Sequence, residues 1–127
     1  MKLWVDDVRP APDGYVWYQS VNEAKENIVE LEKLFDSACN SVGYHFRYGN
    51  GWVVEEYLEE AKAHKIELID IDHDAGDYAN DGGDYIKLLD WLEETGRNYP
   101  IRIHSMNPVG VANMRAIIER NGWTEVR

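Results

Sequence analysis

Aspartate, histidine or both stand at three places in the sequence, each directly after a short apolar run. Asp6-Asp7 follows Leu3-Trp4-Val5, Asp72-His73-Asp74 follows Leu68-Ile69-Asp70-Ile71, and His104-Ser105 follows Ile101-Arg102-Ile103. Carboxylates crowded together repel one another, and burial raises the cost. A hard divalent cation relieves both; Mg²⁺ takes one or two protein carboxylates, keeps several waters and bridges to a substrate phosphate. Asp6, Asp7 and Asp72 suit that use, with Asp74 completing the metal shell or orienting a histidine. His73 and His104 are the acid–base candidates, because imidazole alone changes charge near neutral pH without help. Asp70, two residues before Asp72, shares its side of the strand and reads as a buried, hydrogen-bonded carboxylate in a structural role. Arg9 offers positive charge to a phosphate, and Asn107-Pro108 offers the free amides and dipole of a helix start. His45 and His64 read as surface residues, Asp77 and Asp81 as solvated loop residues, and Asp84 as a helix N-cap.

These residues share a site only if the right elements carry them. Lys2–Asp6, Tyr15–Tyr18, Ile66–Asp72 and Ile101–Ser105 read as strands, and Trp123–Val126 as a last one. Ser20-Val21-Asn22-Glu23 fits a capping box, and Val21, Ala24, Ile28, Leu31 and Phe35 recur at helical spacing behind it. Tyr44, Phe46 and Tyr48 alternate with His45 and Arg47 before Asn50-Gly51, the pattern of a short strand or hairpin. Helices are expected over Val53–His64, over Asp84–Thr95 and from Pro108 to Gly122, the last capped by Asn107. Strands alternating with helices predict an α/β sandwich with a mainly parallel sheet. In such sheets the carboxyl ends of the strands share one edge, where ligands bind. All three acidic or histidine clusters fall at that edge.

The 127 residues suit a single domain. A net charge of −11 opposes phosphate-rich partners, so duplex DNA and anionic membranes are excluded as partners and a small anionic ligand is favoured. No run approaches a membrane span. The charged N-terminal segment does not read as a signal peptide, and Cys39 has no partner for a disulfide; a cytoplasmic setting is the simplest expectation. Asp70 to Asp81 superficially matches a calcium loop, but Ala75 and Asp81 stand where glycine and glutamate belong. Leu68-Ile69-Asp70-Ile71-Asp72 carries the Asp-x-Asp spacing of haloacid-dehalogenase-like phosphatases, without their downstream lysine. No phosphate-binding loop, nucleophile elbow, zinc-protease or dinucleotide motif is present.

An aspartate pair after the first strand and an aspartate after the central strand resemble the acidic pocket of response-regulator receiver domains. On that resemblance Asp6 and Asp7 match the pair, Asp72 the phosphoacceptor and Ser105 the hydroxyl residue. Receivers also use a lysine late in the chain, and none follows Lys87 here. The segments LWVDDVRPAPDGYVWYQSVNEA, IDHDAG and IRIHSMNPVGVANM are more closely similar to the cyclic-phosphate-processing receiver domain family. Of its Asp-Asp-x-Arg-x-Pro, Asp-His-Asp and His-Ser-x-Asn-Pro hallmarks, the last two stand in this sequence, and the first stands as Asp6-Asp7-Val8-Arg9-Pro10-Ala11, with its proline one place early; the resemblance runs across about residues 2–36 and 66–121.

This resemblance implies a flavodoxin-like, three-layer α/β fold. It would have a five-stranded receiver sheet, from which this sequence is expected to depart by lacking the final helix and by an insertion at about 36–60 serving as a lid or interaction element. It further implies a phosphoesterase acting on a cyclic phosphate of a nucleotide or an RNA end. Asp6, Asp7, Asp72 and Asp74 would hold Mg²⁺ or Mn²⁺, Asp72, His73 and His104 would carry the chemistry, and Arg9, Ser105 and Asn107 would seat the phosphate. The competing expectation is a non-catalytic module that senses or sequesters a phosphate ligand or cyclic nucleotide, or accepts a phosphoryl group.

Overall fold

Four short apolar segments pair along their lengths: β1 (Lys2–Val5), β2 (Tyr15–Tyr18), β3 (Leu68–Ile71) and β4 (Ile101–Ile103). In the computed structural model, which describes residues 1–49 and 51–127 (at 51 and 52 the backbone alone), they form one parallel sheet in the order β2-β1-β3-β4. β3 is buried at every position, which is why it reads as a nearly continuous apolar run. The expected fifth strand is reduced to a single bridge between Ile101 and Glu125.

The helices are α1 (Val21–Tyr48), α2 (Gly51–His64), α3 (Ile86–Glu94) and α4 (Pro108–Asn121), with a 3₁₀ turn at Gly76–Tyr78. Ser20 Oγ caps α1 by accepting from the Glu23 amide at 3.1 Å. Asn107 Oδ1 caps α4 through the Gly110 amide at 3.0 Å, with Pro108 in the first turn. Gly96 and Gly122 close α3 and α4 with φ of 69° and 67°, a region glycine enters without steric cost. Asp84 does not cap α3 as expected; its Oδ1 accepts from the Ala75 amide at 3.0 Å and ties down the loop after β3.

One core holds Leu3, Val5, Ile69, Ile71 and Ile101 against Ile28 and Leu31 of α1, Leu88, Leu89 and Leu92 of α3, and Met114, Ile117 and Ile118 of α4. Alternate strand residues face opposite sides, so α1, α3 and α4 all lie on the side of Leu3 and Ile69. α2 packs mainly on α1. The other side carries Lys2, Trp4, Tyr15, Trp17, Leu68, Asp70 and Arg102, of which Leu68 and Asp70 are buried. The described helices therefore make two layers rather than the expected three. The cause lies in the connections: the two rightward crossovers and the segment after β4 keep one hand and share a face, while β1 reaches β2 through Asp6–Gly14 without a helix.

α1 is longer than its apolar pattern predicts. It begins at the carboxyl edge of the sheet and reaches the amino edge by Glu32, which pairs there with Arg97 and Tyr99 just before β4. Beyond that point it projects past the sheet and returns as α2, with Ala38 and Ala61 buried and His45 stacked on Tyr57. The strand or hairpin expected at Tyr44–Tyr48 is thus the distal helix of an αα-hairpin; Asn50 lies outside the described residues. Among the described residues no helix is long and apolar enough to cross a membrane.

Candidate metal centre

Parallel register sets Val5 between Tyr18 and Ile71. The next residues, Asp6 and Asp72, therefore leave neighbouring strands at one edge, tied by Asp6 N to Tyr18 O at 3.1 Å and Asp72 N to Val5 O at 2.9 Å. This is the point where the strand order reverses, the usual crevice of an open parallel sheet. One carboxylate oxygen each from Asp6, Asp7 and Asp72 lie within 4.8 Å of one another. Three hard, oxygen-only donors fit Mg²⁺ or Mn²⁺ better than a soft metal.

The electrostatics differ between the members. Burial opposes ionisation of Asp6, but the Arg9 and Val8 amides at 2.8 and 3.0 Å, together with His104, outweigh it and hold its carboxyl below the usual range. Asp7 moves the other way: burial first, then the charges of Asp6 and Asp72, push its carboxyl up. A cation among the three would remove the repulsion. Gly76 makes room for Asp7, since a Cβ there would stand 2.3 Å from Asp7 Oδ2, and its φ of 55° is also one that side chains rarely adopt.

The two candidate histidines have separate surroundings. His104 is wedged between carboxylates, with Nδ1 2.6 Å from Asp70 Oδ1 and Nε2 2.9 Å from Asp6 Oδ2. Both nitrogens are thus engaged by carboxylates, and neither is left for a substrate. His73 is joined to Asp74 through Nδ1 at 2.8 Å, with Asn107 Nδ2 3.4 Å from the same carboxylate oxygen. Asp74 therefore orients a histidine and stands outside the three-carboxylate cluster. The His73 ring lies on the first turn of α4, where a Cβ at Gly110 would meet it at 2.4 Å. Its backbone amide donates to Asp72 Oδ1 at 2.7 Å, linking the two groups.

Arg9 contributes its amide to Asp6, and the residue is exposed. Ser105 Oγ accepts from the Asn107 amide at 3.2 Å and shapes the turn into α4. Sequence reasoning passed over Trp4, which stacks on His104 with centroids 3.8 Å apart, and Trp17, whose Nε1 donates to Asp6 O at 2.7 Å. Tyr85, fully buried, is a third residue that it did not single out. Burial, then the charges of Asp7, Asp6 and Asp72, push this phenol far up, and its OH donates to Gln19 O at 2.7 Å. The alternation that sends Trp4 and Asp6 to one side of β1 was a usable signal for the first of these. A cavity of about 430 Å³ lies at the opposite edge, lined by Phe35, Ile66, Tyr99 and Pro100, and holds no such convergence of carboxylates.

A family model described as the cyclic-phosphate processing receiver domain matches residues 47–120, more than half of the chain. Neither a curated protein nor a solved structure matches.

Proposed function

The chain belongs to the cyclic-phosphate processing receiver domain family, and from that premise we propose that it is a metal-dependent phosphoesterase opening a cyclic phosphate. One observation carries this reading: Asp6, Asp7 and Asp72 converge within 4.8 Å at the switch point of the sheet. Mg²⁺ or Mn²⁺ held there supplies Lewis-acid polarisation of the phosphoryl oxygens and a more acidic bound water. Arg9 and the free amides of the α4 start, framed by Ser105 and Asn107, seat the anionic oxygens. With Asp74 on Nδ1, His73 keeps Nε2 to take a proton from the attacking water and return it to the leaving ester oxygen. His104 serves the carboxylates and not the substrate.

The acidic chain favours a small cyclic nucleotide over a long nucleic acid, and a cyclic RNA end is the larger substrate of the same chemistry. The 1–127 chain works as one receiver-like domain in the cytoplasm, with the distal hairpin as its insertion. The engagement of both His104 nitrogens favours a second reading, a module that binds the phosphate ligand without turnover, because it leaves a single free imidazole at the edge. Hydrolysis of 2′,3′- and 3′,5′-cyclic nucleotides with Mg²⁺, Mn²⁺ or chelator, beside Asp72→Asn, separates the two. Metal-dependent product absent from the variant supports the esterase. Tight ligand binding without product supports the module.

A further inference from the structure

Asp70 is fully buried, ionisable and unused by the chemistry above. Its Oδ1 accepts from His104 Nδ1 at 2.6 Å, and its Oδ2 lies 3.4 Å from Arg102 Nη1. On the far side of the ring, His104 Nε2 donates to Asp6 Oδ2 at 2.9 Å. Trp4 stacks on the imidazole with only 5° between the planes and shields this chain of bonds on the side of the sheet that no described helix covers. Asp6 Oδ1 meanwhile accepts the amides of Val8 and Arg9. A carboxylate oxygen has about two acceptor directions. Oδ1 is therefore filled and Oδ2 keeps one, so Asp6 cannot rotate without breaking all of these bonds.

We infer that Asp70 is a positioning residue of the metal centre: through His104 it fixes the Asp6 carboxylate and keeps one acceptor direction of Oδ2 free for the ion shared with Asp7 and Asp72. The inference rests on the metal-dependent reading given above. A hydrogen-bonded carboxylate behind a group that orients a ligand is a recurrent way to hold metal geometry.

The test is Mn²⁺ titration of the full chain, following free Mn²⁺ by electron paramagnetic resonance, beside thermal melts in chelator. Asp70→Asn retains an acceptor for the ring N–H and should melt close to wild type, yet bind Mn²⁺ about 10–100-fold more weakly. Asp70→Ala should bind more weakly still, so that asparagine is a partial rescue. His104→Gln is a second route to the same weakening should Asp70→Asn fail to fold. Arg102→Gln, at a half-exposed side chain, should change the affinity little. Wild-type affinity in a folded Asp70→Asn or His104→Gln protein overturns the inference and leaves the metal reading intact. Absence of Mn²⁺ binding by wild type, shared by Asp72→Asn, overturns both.

Discussion

His73 and His104 are both imidazoles at one edge, yet their neighbours give them different work. A ring closed on both sides by carboxylates can hold geometry and charge but cannot exchange protons with a substrate. A ring held from one side can. His73→Asn should therefore lower turnover about 10²–10⁴-fold, the usual worth of a positioned acid–base group, with Mn²⁺ affinity unchanged. Equal loss of turnover and of metal binding would place His73 in the metal shell instead. Gly76 offers a second residue-level test. Alanine there must either displace Asp7 or leave its φ of 55°, and the backbone part alone costs about 1 kcal/mol or more. Gly76→Ala should lose Mn²⁺ affinity at least tenfold, and calorimetric titration reads it directly. At this scale the sequence showed which residues gather, because polar groups following apolar runs mark strand ends. It did not show which carboxylate each histidine meets. Asp74 lies next to His73 in sequence, whereas the partners of His104 lie 34 and 98 positions away.

Among the elements, α1 does the most and was the least fully legible. Its start was written in Ser20 and Glu23 and its core face in Val21, Ala24, Ile28 and Leu31. Its end was not, because Tyr44, Phe46 and Tyr48 mimic strand alternation while lying largely exposed on the distal helix. A two-residue period in a helix that buries only part of its surface is not a strand signal. The five-strand expectation failed for a related reason: four residues of suitable type at Trp123–Val126 leave room for one bridge. α1 is fastened to the amino edge of the sheet through Glu32. Burial works against this carboxylate, but bonds from Arg97 and Tyr99 prevail and hold its pKa below the usual value. A depressed folded pKa means stability that is present above the unfolded value and is lost as pH falls through the folded one. Glu32→Gln should thus lower stability at neutral pH by about 1 kcal/mol, allowing for partial exposure. The deficit should shrink as pH drops below the ordinary glutamate range. Melts across pH check this, and a deficit constant with pH would show that the ionised carboxylate is not the stabilising species.

For the whole molecule, the acidic cluster and the αα-hairpin stand at opposite ends of the sheet. This follows from chain direction alone: α1 leaves the carboxyl edge, and α2 returns through residues 65–67 to the start of β3. The hairpin is therefore not a lid over the cluster. Replacing residues 39–60 with a short glycine turn between Ala38 and Ala61 should leave Mn²⁺ affinity within about twofold, since couplings across such separations are small. A collapse of metal binding in a folded truncation would show that the hairpin acts on the site at a distance. The same layout shapes how the molecule moves in solution. At about 1.5 Å per residue, α2 carries the hairpin roughly 20 Å beyond the sheet, against a radius of gyration near 13 Å for an ordinary domain of about 100 residues. Such a body tumbles end over end more slowly than it spins about its arm. Helical N–H bonds lie along that arm and sheet N–H bonds lie across it, so ¹⁵N relaxation should report a longer apparent correlation time for α1 and α2 than for β1–β4.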